Sequence, residues 1–268
     1  MTRDHDIKRA IRARMRVTGE PYTVARSALV VPSTSRAPAS ETSPSQGGTM
    51  AAVLTDLLDE LDDRGFAVLR SFLAADEVAR LTAVVDEIVS TTLAEKQDED
   101  RRRREAGETG WVDVWHPGQQ GVVAKLVTER PDVAWLRQHR SLLAIKGAAK
   151  GREARLRNVG VSVSMPGYGH QGLHADDESA SPPIGAWTGI SFVVVLSTFD
   201  AVSGTFRAIP GSHRTRPQFE DWKGSAMPPH PEEVRVEAEP GDVIVHSSHV
   251  WKSATFNGGH APRRAVWL

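Results

Sequence analysis

The chain contains no cysteine among its 268 residues, and this absence removes several classes of site from consideration. Without cysteine there are no disulfides, no thiolate zinc sites and no cysteine nucleophile. No apolar run approaches the roughly 20 residues that a membrane-spanning helix needs, and the first residues are too charged for a secretory signal. The formal net charge is −1, so no overall field favours nucleic acid or an anionic membrane. The composition predicts a globular, cytoplasmic protein.

Composition divides the chain into three predicted parts. Residues 1–30 are polar and basic, residues 31–50 are rich in Ser, Pro, Thr and Ala, and residues 51–268 carry the pattern of a globular domain. The middle part predicts a disordered linker. Met50 directly precedes the globular pattern, so a start of translation at Met50 is one open hypothesis. The chain ends inside the expected last strand, so a fragment or a short variant is another. The basic segment permits a nucleic-acid-binding hypothesis, but the main domain shows no basic stripe that would extend such a surface.

Hydrophobic periodicity predicts helices followed by many short strands. Apolar residues at helical spacing predict helices over 53–65, 78–89 and 133–149, with a short strand at 66–69 between the first two. The charged run 95–105 is expected to be a solvated helix end or a loop. Beyond residue 155 the period becomes two, which predicts strands at 156–164, 187–196, 205–209, 233–237, 242–247 and 263–267. This order predicts an α+β protein with a mainly β core, a sandwich or jelly roll with helices outside.

The pair His174 and Asp176 is the strongest chemical signal in the chain. In a strand, positions i and i+2 share a face, so the imidazole and the carboxylate are expected side by side. They make two-thirds of the two-His-one-carboxylate triad, which holds non-haem Fe(II) and leaves coordination positions open. An isolated pair of this kind also arises by chance, so a metal site needs support from elsewhere in the sequence.

That support comes from a resemblance to the phytanoyl-CoA dioxygenase family. The likeness runs from residue 51 to the C terminus and rests on five stretches, of which the Pro-Gly-Ser-His turn is the most specific. They are 63–73, His174-Ala175-Asp176, 203–213 with its Pro210-Gly211-Ser212-His213 turn, Pro240-Gly241-Asp242, and Asn257 with Arg263-Arg264.

The resemblance implies a fold, a reaction and a set of ligands. The fold would be a double-stranded β-helix, a cupin-like jelly roll with flanking N-terminal helices. Fe(II) would be held by His174, Asp176 and a distal histidine, and Arg263, or else Arg264, would bind the far carboxylate of the co-substrate 2-oxoglutarate. The protein would be a dioxygenase that consumes O2, decarboxylates 2-oxoglutarate to succinate and hydroxylates a small organic substrate. His213 would belong to a structural turn.

The sequence departs from the family at the distal histidine. Counting inward from both flanking motifs places Lys252 in that position, and a protonated lysine has no lone pair for a metal. Three alternatives are open. His249, the nearer candidate, or His246 supplies the third ligand; or the metal is held by two protein ligands; or the site holds no metal and the Lys252 ammonium pairs with Asp176. The last alternative describes a catalytically silent homologue that binds a ligand or a partner subunit.

The substrate and the oligomeric state are not predicted by the sequence. Residues 111–123, which contain two tryptophans, and the loop 177–186 are expected to line the mouth of the pocket. Their side chains do not single out one compound.

Overall fold

The computed structural model describes residues 50–106, 122–214, 222–224 and 229–268. The predicted basic segment 1–30, the linker up to residue 49 and residues 111–121 of the predicted pocket mouth lie outside these ranges. The helices are α1 (Met50–Arg64), α2 (Ala75–Glu105), α3 (Pro131–Ala134) and α4 (Arg140–Lys150), with 3-10 turns at Trp135–Gln138 and Ser212–Arg214. Within the described ranges, the search for a helix able to cross a membrane found none.

The strands form two antiparallel sheets that face each other. Their bounds are β1 (Phe66–Leu69), β2 (Val122–Leu126), β3 (Gly160–Ser164), β4 (Gln171–His174), β5 (Ile190–Val195), β6 (Phe206–Ala208), β7 (Val234–Val236), β8 (Val243–Ser247), β9 (Lys252–Ala254) and β10 (Arg263–Trp267). The six-stranded sheet has the order β1-β8-β5-β10-β3-β2 and the four-stranded sheet the order β4-β9-β6-β7. This strand-rich core with outer helices confirms the predicted α+β jelly roll.

Alternation along the central strands separates a helix-facing side from an interior between the sheets. On β5, Phe192 and Val194 pack in the cluster that includes the helices, whereas Val193 and Val195 pack between the sheets. On β8, Val245 belongs to the first cluster, so its neighbour His246 points to the interior. The ring of His246 lies 5.4 Å from that of Phe206 on the opposite sheet. The space between the sheets is where the chemistry-bearing side chains meet.

The helices lie where the hydrophobic periodicity predicted them, but their lengths differ from the prediction. The first helix ends at Gly65 as predicted, where a φ of 81° suits glycine, and a β-carbon there would lie 2.6 Å from His213 Nδ1. The charged run 95–105 forms the exposed C-terminal end of α2, which is the first of the two predicted alternatives. The predicted helix 133–149 is broken, because His139 has an extended backbone with a ψ of 111°.

All six strands predicted beyond residue 155 are present, five with shorter bounds and β10 with the predicted bounds, and three further strands (β2, β4 and β9) were missed. The strand β9 has three residues, and β4 has four with an irregular register against β9, so neither shows a full period of alternation. Pairing with neighbours distant in sequence defines these strands, and a window of sequence does not contain those neighbours.

The turn before β8 is held by one buried carboxylate. Asp242 accepts hydrogen bonds from Arg70 Nη1 at 2.7 Å, from the Ser71 backbone N–H at 2.8 Å and from the Glu239 backbone N–H at 2.9 Å. Two of these donors are backbone groups that water does not easily reach, because Asp242 itself is 3% exposed. This carboxylate fixes the start of β8, and hence the register that points His246 inward.

We expect Asp242→Ala to lower the free energy of unfolding by about 2–4 kcal/mol, because it leaves two backbone donors and a guanidinium without their acceptor. Urea denaturation measures the change. The control is Asp76→Ala, which removes an exposed ion pair with Arg80 and is expected to cost less than about 0.5 kcal/mol. Equal losses in the two variants would contradict the role given to Asp242.

Candidate active site

Three side chains converge at one end of the space between the sheets. His174 ends β4, Asp176 follows two residues later, and Lys252 opens the neighbouring strand β9 directly across from His174. His174 Nε2 lies 3.9 Å from Asp176 Oδ1, and Lys252 Nζ lies 2.7 Å from the same oxygen. The predicted juxtaposition of His174 and Asp176 is therefore present. It differs from the prediction in that β4 ends at His174, so Asp176 lies in the loop after the strand.

The orientation of His174 suits a metal ligand. Its Nδ1–H donates to the Gly172 carbonyl at 2.8 Å, so Nε2 carries the lone pair. The side-chain amide of Gln171 lies 3.3 Å from Nε2 and donates to that lone pair. A backbone acceptor on one ring nitrogen is the usual way in which a protein fixes the tautomer of a ligating histidine. The imidazole and the carboxylate of Asp176 thus present the two donor types that Fe(II) takes.

The position expected for the third metal ligand is occupied by the cationic side chain of Lys252. The Lys252 ammonium donates to Asp176, and its side chain is only 9% exposed, while Asp176 is 46% exposed. Among the described residues, no group of three His, Cys, Asp or Glu side chains is arranged to hold a metal ion. Two of the three positions therefore fit iron, and the third, as folded, does not. The contact between Lys252 and Asp176 is the one that the third sequence alternative predicted.

His249, the preferred third ligand in the sequence analysis, is engaged elsewhere. Its Nδ1–H donates to the Ser179 carbonyl at 2.8 Å, and its Nε2 accepts from the Thr188 hydroxyl at 2.7 Å. Both ring nitrogens are thus used to fix the loop 177–186 against the turn after β8. The structure does not bring His249 together with His174 and Asp176, because both ring nitrogens bond to Ser179 and Thr188 instead.

His246 is the second imidazole at the site. It lies on β8, is 3% exposed, and donates from Nδ1 to the Ser247 carbonyl at 3.0 Å. Burial, followed by the charge of Lys252, lowers its pKa to about 4, and the charges of Asp176 and His174 also act on it. His246 therefore faces the other three side chains as a neutral imidazole. The alternation of the predicted strand 242–247 carried this signal, because Val243 and Val245 face the helices and His246 follows on the other face.

Protonation in this group follows from burial and from the ion pair. Burial, followed by the charge of Lys252, lowers the pKa of His174. Burial opposes ionisation of Asp176, but the Lys252 ammonium outweighs it and holds the pKa of Asp176 below its ordinary value. Burial also lowers the pKa of Lys252, and Asp176 offsets part of that effect. The group at neutral pH is one ammonium, one carboxylate and two neutral imidazoles.

Arg263 lies in the same interior, at the start of β10, and is 6% exposed. Its Nη1 donates to the Ser203 and Thr255 carbonyls at 3.3 and 2.9 Å, and its Nη2 donates to Ser164 Oγ and the Gly169 carbonyl at 3.1 and 3.0 Å. All four acceptors are neutral. Burial lowers the pKa of Arg263 to about 10, so the guanidinium stays charged. Within the described part of the chain it has no carboxylate partner.

Arg264, the second choice for the co-substrate arginine, points away from this interior. Its Nε and Nη2 donate to the two carboxylate oxygens of Asp86 on α2 at 2.6 and 3.2 Å. The period of two along β10 explains the difference, since neighbouring residues face opposite sides of the sheet. The sequence analysis did not anticipate the neutral partners of Arg263, because three of them are backbone carbonyls that no side-chain pattern reveals.

Comparison with known proteins gives a family and a fold. A sequence profile of the phytanoyl-CoA dioxygenase family matches residues 61–265. Among solved structures, the epimerase SnoN in complex with Fe3+, alpha ketoglutarate and nogalamycin RO is 21% identical, with a TM-score of 0.54 over 81% of this chain and 82% of that one. HygX from Streptomyces hygroscopicus, with nickel and 2-oxoglutarate bound, is 15% identical, with a TM-score of 0.57 over 79% and 84%. EctD from S. alaskensis with bound Fe is 19% identical, with a TM-score of 0.58 over 80% and 74%.

These comparisons confirm the resemblance found in the sequence. At such identities the solved structures show the fold, and the iron and 2-oxoglutarate that the sequence analysis implied are groups that these structures contain. The match spans both sheets, so it covers His174, Asp176, Lys252 and Arg263.

We expect His246→Phe to reduce the loss of stability in acid. The unfolded imidazole takes up a proton near its ordinary pKa of 6.5, whereas the folded one does so only near 4. The unfolded state therefore binds more protons between these values, and the free energy of unfolding falls as pH falls through that window. The wild type should lose about 3 kcal/mol more than the variant between pH 7 and pH 4.

Urea denaturation at several pH values measures this difference. The exposed His260, replaced by phenylalanine, is the control, and its pH profile is expected to follow that of the wild type. An unchanged slope in His246→Phe would show that His246 is not held neutral by the fold.

Proposed function

Because this chain belongs to the phytanoyl-CoA dioxygenase family, we propose that it is an Fe(II)- and 2-oxoglutarate-dependent dioxygenase that hydroxylates a small organic substrate. The proposal is carried by one observation: the buried Arg263 guanidinium, whose partners among the described residues are all neutral, lies in the same interior as the imidazole of His174 and the carboxylate of Asp176. Membership of the family and the retention of His174, Asp176 and Arg263 support catalytic activity.

In this proposal His174 and Asp176 hold the iron as two protein ligands. The lone pair on His174 Nε2 and the carboxylate of Asp176 face each other at 3.9 Å, and the Gly172 carbonyl fixes the tautomer that makes Nε2 the donor. When bound, iron supplies the activation of O2 that links decarboxylation of 2-oxoglutarate to hydroxylation. The protein side chains orient these ligands.

Arg263 binds the far carboxylate of the co-substrate. A buried cation whose partners are all neutral is costly, and a carboxylate ligand removes that cost. Four of its five N–H groups already donate to Ser203, Thr255, Ser164 and Gly169, so these acceptors set the orientation of the guanidinium. Among the described residues no acceptor is assigned to Nε–H, which would donate to the carboxylate.

A catalytically silent homologue that binds a ligand or a partner subunit is the second candidate. The 2.7 Å ion pair between Lys252 and Asp176 favours it, because an ammonium there already supplies the carboxylate with a counter-charge. The retained Arg263 and His174 weigh against it, since a silent scaffold has no need of either.

Anaerobic titration with Fe(II) and 2-oxoglutarate separates the two candidates. The dioxygenase is expected to develop a weak visible charge-transfer band and, with O2, to release succinate from 2-oxoglutarate. Absence of both, with no iron retained after purification, would overturn the proposed activity in favour of the silent homologue.

Arg263→Ala is expected to raise the KM for 2-oxoglutarate by at least about tenfold, because a charged hydrogen-bond partner of the carboxylate is lost. Succinate release at varied 2-oxoglutarate measures the change. Arg264→Ala is the matched control, since it removes the neighbouring guanidinium from a surface ion pair with Asp86, and its KM should stay within about twofold of the wild type. Equal KM values for the two variants would remove Arg263 from the co-substrate site.

A further inference from the structure

Lys252 is a charged donor that faces the pocket with hydrogen-bonding capacity to spare. An ammonium carries three N–H donors, and the contact with Asp176 at 2.7 Å uses one of them. The side chain is 9% exposed, so its remaining donors lie largely out of bulk water. Buried donors of this kind require acceptors, and a ligand oxygen is a suitable one.

The charged groups in the interior do not balance. Among the described residues, Lys252 and Arg263 contribute two positive charges and Asp176 contributes one negative charge. The charge of Glu178 also acts on His174, but Glu178 is paired with Lys223 at 2.7 Å. One positive charge is left in excess without any metal, and a divalent cation would add two more beside the ammonium. The pocket as folded is thus electrostatically suited to an anion before it is suited to a metal.

The two cations lie near opposite ends of one short stretch of chain, from Lys252 to Thr255. Lys252 and Thr255 are three residues apart on and just after β9, which corresponds to about 10 Å of extended chain. The Thr255 carbonyl is 2.9 Å from Arg263 Nη1, so the guanidinium lies near the far end of that stretch. Both residues are buried, Lys252 at 7% and Arg263 at 6% exposure.

We propose that Lys252 makes this pocket a metal-independent binding site for a 2-oxo dicarboxylate, at the expense of affinity for a divalent metal. The ammonium binds the 2-oxo acid end and Arg263 binds the far carboxylate. The choice of anion rests on the proposed function of the chain. The role of Lys252 as the resident cation of the site rests on the ion pair, the burial and the excess of charge.

The test compares Lys252→Met with the wild type in two calorimetric titrations, neither of which depends on turnover. In the first, 2-oxoglutarate is titrated with EDTA present, and the variant is expected to bind at least about tenfold more weakly. In the second, Mn2+ is titrated without 2-oxoglutarate, and the variant is expected to bind at least about tenfold more tightly. The shifts have opposite signs because the ammonium attracts the anion and repels the metal.

The control variant is Lys146→Met, which removes a half-buried lysine from α4 in the outer helical layer and should leave both affinities as in the wild type. The proposal would be overturned if Lys252→Met changed the affinities for 2-oxoglutarate and Mn2+ in the same direction, or changed neither. Loss of a lysine with a purely structural role would weaken the binding of both ligands. If Lys252→Met does not fold, Lys252→His takes its place, since its neutral imidazole restores a lone pair at the position of the third ligand and should raise Mn2+ affinity even further.

The outcome for the wild type separates this inference from the proposed function. Binding of 2-oxoglutarate only after metal addition overturns the role of Lys252 and leaves the dioxygenase intact. Failure to bind 2-oxoglutarate with or without metal overturns the co-substrate of the proposed function together with this inference.

Discussion

The ion pair between Lys252 and Asp176 has the largest effect on the electrostatics of the site, because the buried ammonium favours binding of an anion and disfavours binding of a cation. It joins β9 to the loop after β4 at the point where a third metal ligand is expected. At an effective dielectric constant of about 20, two unit charges 4 Å apart interact by about 4 kcal/mol, and a dication doubles that value. The Lys252 ammonium therefore lowers the affinity of the site for a metal cation. Asp176, which is 46% exposed, offsets only part of this repulsion.

The arrangement of the two sheets explains why these charges face one another. The six-stranded sheet uses its outer face to pack against α1, α2 and α4, and this face is almost wholly apolar. Its inner face carries apolar residues such as Phe66, Ile244 and Val195. The same face carries His246, which pairs in register with Phe66, and Arg263 at the start of β10.

Much of the fold followed from periodicity and from turn residues. The six later strands, the first helix with its end at Gly65 and the outer position of the helices were all predicted, because alternation and helical spacing are local properties. The short strands β4 and β9 were missed, and so was the break at His139. A three-residue strand exists because its neighbours in space hold it, and those neighbours are more than forty residues away in sequence.

The sequence by itself determined the family, the jelly roll, the pairing of His174 with Asp176 and the presence of lysine where a ligand is expected. Those conclusions rest on residue type and spacing, which the chain carries without folding. Only the tertiary structure decided that Lys252 reaches Asp176, that His249 bonds to Ser179 and Thr188 instead, and that Arg263 lies buried among neutral acceptors. These are distances between strands far apart in the chain, and the packing of two sheets, with the desolvation it imposes, sets them.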